Sequence, residues 1–193
     1  AKNLLISIFI QHIIYLSFRY NLKNMVKIEI EILPTIIIFS ILIFLLMNFV
    51  YREFFQPYVL FLCLHNTFRS QMAEAYFEKF ASEMGLGIRA KSAGFLEAEK
   101  INEKAIILMK EEGIDISNKK PKLVTNEMIE GASKIIVLCK ECEEEGYCIN
   151  LPKEKVEFWK LDNPAKMDLD KAREIRDIIK NKVLNLIQEL KGV

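Results

Sequence analysis

The chain has 193 residues, enough for one ordinary domain and an appendage. Its 27 basic side chains nearly cancel its 26 acidic ones, which excludes the basic footprint of a nucleic-acid-binding protein. All four cysteines follow residue 62, a pattern that fits a reducing compartment better than a secreted disulfide framework.

Apolar residues are unevenly placed. Residues 1–55 hold nearly all the long apolar stretches and read as a membrane-anchoring region, whereas 56–193 read as a charged α/β catalytic domain. The run from Leu4 to Phe18 is short and interrupted by Gln11 and His12, so it is a possible second span or an interfacial helix. From Ile32 to Tyr51 there is no charge, and Pro34 suits a first helical turn, which predicts a transmembrane helix over 32–51. Arg19, Lys23 and Lys27 in the intervening link point to the cytoplasm, which after one more crossing would leave the catalytic domain outside. A thiolate that must be re-reduced favours the opposite orientation, and the expectation is a membrane-anchored protein with a cytoplasmic catalytic domain.

Next comes a buried strand, Tyr58 to Leu62, that stops at a cysteine: Cys63-Leu64-His65-Asn66-Thr67-Phe68-Arg69-Ser70. A strand that turns at once into a helix aims the backbone N–H groups of Leu64, His65, Asn66, Thr67, Phe68 and Arg69 at one point, where a tetrahedral anion can sit. The Arg69 guanidinium supplies a planar fork matched to such an anion. Cys63, beside the Ser70 hydroxyl, is set up as the nucleophile.

Apolar periodicity predicts a helix from Arg69 to Met84, a short strand from Ile88 to Ser92, and a second helix from Asn102 to Glu112 ended by Gly113. Thr125 caps a short helix through Gly131, and Lys134 to Cys139 is an apolar strand that again delivers a cysteine. Cys139, Cys142 and Cys148 follow in one charged loop; three cysteines without a clear fourth ligand make a poor zinc site, and no bound cofactor or metal is expected. Val156 to Trp159 forms a last strand, and Asp168 to Leu190 a long helix with an apolar stripe running from Ile175 to Leu190. Alternating strands and helices imply a parallel sheet covered on both faces, with ligands at the carboxyl ends of the strands.

Five segments taken in order, VLFLCLHNTFRSQMAEA (59–75), KSAG (91–94), EEGIDIS (111–117), IIVLC (135–139) and WKLDNPA (159–165), resemble the low-molecular-weight protein tyrosine phosphatase superfamily. Within it they are most similar to the thioredoxin-coupled arsenate reductases, over about residues 58–190. The resemblance implies a four-stranded parallel sheet flanked by helices, Cys63 as nucleophile, Arg69 as oxyanion clamp, and Asn66 and Ser70 as shapers of the loop. It further implies that Cys63 attacks arsenate, that Cys139 attacks the Cys63 sulfur to release arsenite, and that Cys148 takes over the disulfide. The resulting Cys139–Cys148 bond would be exposed for thioredoxin, with Cys142 as an extra candidate resolver. Where the superfamily has an Asp-Pro general acid this chain has Asn163-Pro164, leaving Asp162 as the nearby carboxylate for that role. A phosphatase acting on phosphomonoesters through Cys63 is the alternative reading, and a non-catalytic oxyanion-binding module at a membrane a further one.

Overall fold

The structure is a computed structural model and describes residues 7, 10–14, 32–54 and 57–192. It divides into two compact units, Ala1–Phe54 and Phe55–Val193.

In the first unit, residues 10–14 are helical and α1 runs from Ile32 to Phe54. Apart from Ser7, the remainder of the 4–18 run, and Arg19, Lys23 and Lys27, lie outside the described residues. The apolar side chains of α1 from Ile36 to Phe49 are largely exposed within their own unit. Among the described residues no helix is long and apolar enough to cross a membrane, so the expectation of a transmembrane helix at 32–51 is not supported.

The second unit is built on a four-stranded sheet, β1 (Tyr58–Cys63), β2 (Arg89–Gly94), β3 (Ala132–Cys139) and β4 (Val156–Leu161), in the order β2-β1-β3-β4 with every pair parallel. Its helices are α2 (Arg69–Glu83), α3 (Glu103–Glu111), α4 (Asn126–Gly131), α5 (Lys140–Glu144) and α6 (Leu169–Lys191). Side chains of Asn102, Thr125 and Asp168 accept hydrogen bonds from backbone N–H groups in the first turns of α3, α4 and α6, closing the starts of those helices.

Strand alternation sorts the core into two layers. Val59 and Phe61 of β1 join Ile136 and Leu138 of β3 against α2, α3 and α6, where Met72, Tyr76, Phe77, Leu108, Met109, Ile179, Val183 and Ile187 are buried. Leu60 and Leu62 join Ile135, Val137 and Cys139 on the opposite face, together with Cys63, Cys142 and Leu151. The α6 stripe is core as its spacing predicts, except that Ile178 is exposed.

Two differences from the sequence reading matter for the site. Residues 140–144, expected as charged loop, form α5, so the chain turns helically straight out of β3. β4 continues two residues past Trp159 because it contains a bulge: Val137 pairs with Phe158 but Cys139 pairs with Leu161, so β4 has one residue more than β3 across the step. Lys160 sits at that bulge with φ +51, a left-handed conformation uncommon for a residue with a Cβ.

The chain leaves β1 toward β2 on one side and later returns to β3 on the other. The strand order therefore reverses between β1 and β3, and the crevice beyond their carboxyl ends is where such sheets bind ligands. Those ends carry Cys63 and Cys139.

Candidate active site

Between β1 and α2 the backbone wraps tightly around one point. Its carbonyls are drawn outward: Phe95 N–H donates to Cys63 O at 3.2 Å, Leu96 N–H to Leu64 O at 2.8 Å, and Asn102 N–H to Thr67 O at 3.0 Å. With these oxygens engaged from outside, the N–H groups of the turn remain for an anion within it. Phe68 is buried in the α2 layer and pins the loop to the core, while Leu64, His65 and Thr67 are partly exposed.

Asn66 fixes the shape of the loop. It has φ +54, a conformation asparagine tolerates better than most residues, and is fully buried. Its side chain is saturated: Nδ2 donates to Ser70 Oγ at 2.8 Å and to Ser92 Oγ at 2.9 Å, and Oδ1 accepts from Gln71 Nε2 at 2.8 Å and from the Lys122 backbone N–H at 2.9 Å. Behind it, Ser92 donates to Glu74, which also pairs with Lys119 at 2.7 Å. Burial, the largest influence on Glu74, pushes its carboxyl up, but Lys119, Lys122 and Ser92 together hold it below the ordinary carboxylate range.

This network orients the nucleophile. Cys63 Sγ lies 2.9 Å from Ser70 Oγ. Because Ser70 Oγ already accepts from Asn66, its own proton is free to point at the sulfur and hold it in place for attack. Gly94, at the end of β2, allows the loop to pack this closely. A Cβ there would lie 2.7 Å from the His65 carbonyl carbon and 2.8 Å from the Asn66 nitrogen, both backbone atoms that cannot move aside.

Arg69 is 3% exposed and held by two partners. Nη1 donates to the Leu161 carbonyl at 2.7 Å and to Glu141 Oε2 at 3.2 Å, and Nη2 pairs with Glu141 Oε1. Burial, the strongest influence on Glu141, pushes its carboxyl up, but the bonds from Arg69 and its own backbone N–H hold it below the usual range. Sequence reasoning missed Glu141, which looks like one more charge in an acidic run, and it missed Gln71, Glu74 and Ser92 behind Asn66.

The distal cysteines differ from expectation in their pairing. Cys139 is bonded to Cys142, with Cα atoms 5.3 Å apart, and Cys148 is free. The reason is α5: Cys139 caps it and Cys142 follows three residues later, so one helical turn brings the sulfurs together, whereas Cys148 lies beyond a reversal at Gly146. Both bonded cysteines are fully buried, so the disulfide is not the exposed one that was expected. Cys148 is half-buried, and burial first, then the Glu143 charge, pushes its thiol up to about 11.

In the loop after β4, Asn163 Oδ1 accepts from Ala165 N–H at 3.1 Å and caps the turn Pro164–Lys166, while Asp162 is exposed. Among the described residues no group of three His, Cys, Asp or Glu side chains is placed to hold a metal ion.

A cysteine loop with an arginine clamp at the switch point of a parallel sheet is a recognisable frame, and a profile of the low molecular weight phosphotyrosine protein phosphatases matches residues 58–192. The chain belongs to that family. An arsenate reductase of Staphylococcus aureus (strain bovine RF122 / ET3-1) is 37% identical over 128 residues, 66% of this chain and 93% of that protein. Among solved structures, an arsenate reductase from Archaeoglobus fulgidus DSM 4304 is 34% identical with a TM-score of 0.55, covering 67% of this chain and 98% of that one. A low molecular weight protein tyrosine phosphatase from T. tengcongensis is 26% identical with a TM-score of 0.63, covering 69% and 99%. The second unit is thus an enzyme domain of this family, either arsenate reductase or phosphatase, and a tetrahedral oxyanion fits its loop.

Proposed function

We propose that the protein is an arsenate reductase that uses Cys63 as nucleophile and a thioredoxin-type dithiol protein as electron donor. The observation that carries this reading is the buried Cys139–Cys142 pair, packed in the same core layer as Cys63 on the neighbouring strand. A phosphatase needs only the nucleophile, the anion loop and an acid, and has no use for further thiols; reduction of arsenate must dispose of two oxidising equivalents.

In this mechanism arsenate sits on the loop N–H groups with the Arg69 fork on its oxygens, and the Cys63 thiolate attacks arsenic as a hydroxyl leaves. Asp162 is the carboxylate near enough in sequence to protonate that leaving oxygen, Asn163 having no proton of that kind to give. The Cys139 thiolate then attacks Cys63 Sγ. The S–As bond breaks, its electron pair departs with arsenic as arsenite, and a Cys63–Cys139 disulfide remains. Thiols that must be regenerated in each cycle suit a reducing compartment such as the cytoplasm.

A second reading, hydrolysis of phosphomonoesters through a Cys63 phosphocysteine, is favoured by the completeness of the Cys63–Ser70–Asn66 loop without any distal thiol. Arsenite release and phosphomonoester hydrolysis, measured side by side in wild type, Cys63→Ser and Cys139→Ser, separate the two. The arsenate reading expects thioredoxin-dependent arsenite release that is lost in both variants. Full multiple turnover of arsenate in Cys139→Ser, or phosphomonoester hydrolysis as the only activity, overturns it.

A further inference from the structure

Resting on the arsenate reductase reading, we infer that the oxidising equivalents leave the site through four cysteines: Cys142 takes the disulfide from Cys139 inside the fold, and Cys148 then draws it to the surface.

Three observations carry this. Cys139 and Cys142 are already bonded across one turn of α5, and neither has any exposed surface, so a partner protein has no approach to that bond. An outlet is therefore required, and Cys148 is the one remaining distal thiol, half-buried and packed against the layer that holds both bonded cysteines. The chain between them is folded to bring it there. Gly146 turns back with φ +80, its N–H bonding to Glu143 O at 3.2 Å, and the Tyr147 ring stacks on Phe95 at 5.8 Å, next to the anion loop that Phe95 itself ties down.

The order of transfers follows from position. Cys142, one helical turn from Cys139, reaches its sulfur before Cys148, whose raised thiol is scarcely ionised near neutral pH and attacks slowly. In the first transfer the Cys142 thiolate attacks Cys139 Sγ, the Cys63–Cys139 bond breaks, and Cys63 departs as a thiolate ready for another arsenate. In the second, the Cys148 thiolate attacks Cys142 Sγ, the Cys139–Cys142 bond breaks, and Cys139 departs as a thiolate facing the anion loop again. Attack on Cys139 instead would leave Cys139 engaged and unable to resolve the next turnover. An external dithiol protein of the thioredoxin class finally reduces the Cys142–Cys148 bond and is itself oxidised.

The test uses the full chain, fully reduced, mixed with one equivalent of arsenate without external reductant. Samples are quenched by alkylation over time, arsenite is measured, and disulfides are mapped by mass spectrometry. Wild type is expected to show Cys139–Cys142 first and Cys142–Cys148 later. Cys142→Ser is expected to stall as Cys63–Cys139, and Cys148→Ser to accumulate Cys139–Cys142 and lose at least about tenfold in steady-state turnover with thioredoxin. A Cys139–Cys148 bond forming first in wild type, with Cys142→Ser keeping normal turnover, overturns the relay. Failure of wild type to release arsenite counts against the arsenate reading alone. A parallel arm that oxidises the reduced chain with one equivalent of glutathione disulfide, entering at Cys148, still identifies the distal pairs: Cys142–Cys148 exchanging with Cys139–Cys142 supports the relay, and Cys139–Cys148 as the distal pair formed sinks it.

Discussion

Glu141 grips both terminal nitrogens of Arg69 from within the turn that joins Cys139 to Cys142. The carboxylate that aims the oxyanion clamp is thus carried by the segment that holds the buried disulfide. Glu141→Gln keeps the shape and removes the charge, and we expect kcat/KM for arsenate to fall about tenfold, in line with the roughly 1.5–3 kcal/mol of a charged hydrogen bond less what partial exposure screens. Glu141→Asp should recover part of the loss. Unchanged kinetics in Glu141→Gln would show that Leu161 O alone positions the arginine.

The same pair gives a pH signature. The Glu141 carboxyl is held below its ordinary value when folded, so its contribution to stability is present above the unfolded-state value and is lost as pH falls through the folded one. Urea midpoints of wild type and Glu141→Gln should therefore differ clearly at pH 7 and draw together as the pH is lowered into the acid range. A gap that stays constant or widens in acid would contradict the assignment.

Ser70→Ala removes the hydroxyl 2.9 Å from Cys63 Sγ and leaves Asn66 Nδ2 without one of its acceptors. The expected outcome is an iodoacetamide alkylation rate at neutral pH about tenfold below wild type, the size of one hydrogen bond to a charged group. Equal rates would mean that the Ser70 hydroxyl does not activate the sulfur.

Gly94→Ala places a methyl group against the His65 and Asn66 backbone. Neither atom can rotate away, so overpacking should lower stability by about 1–3 kcal/mol and weaken oxyanion binding. Thermal denaturation with and without added phosphate reads both effects; a variant that phosphate stabilises as strongly as wild type would argue against the close packing.

Asn163→Asp restores a carboxylate at the head of the turn that Asn163 now caps. Aspartate caps as well as asparagine, so the fold should be kept, and hydrolysis of p-nitrophenyl phosphate should rise by about a hundredfold, the low end for a general acid. No rise would mean that position 163 does not reach the leaving oxygen.

Much of this architecture is legible in the residues themselves. The run Tyr58 to Leu62 ending at Cys63, and the period of Met72, Tyr76 and Phe80, are local signals that the fold simply executes. What escaped did so for two different reasons, one a partner far away in sequence and the other an element too short to leave a pattern. Glu141 is one charge among several until β1 and β3 lie side by side and Arg69 comes to it from 72 residues away. The choice of Cys142 over Cys148 turns on five residues being helical, too few for any apolar period to announce. The N-terminal helix is the opposite case: its apolar run is plain in the residues, yet among the described residues no helix is long and apolar enough to cross a membrane.

Lys160 occupies a backbone conformation in which glycine would sit at ease, and holding a lysine there costs about 1 kcal/mol or more. Two returns follow from that one residue. The bulge shifts the strand register so that Leu161 pairs with Cys139 and its carbonyl meets Arg69, and the Lys160 ammonium reaches Glu143 at 2.9 Å on the far side of α5. Lys160→Gly would relax the backbone while cutting the tether to α5, trading a more comfortable strand for a looser cysteine turn. Stability and catalytic competence should then move in opposite directions at a single position that touches neither the anion nor any sulfur.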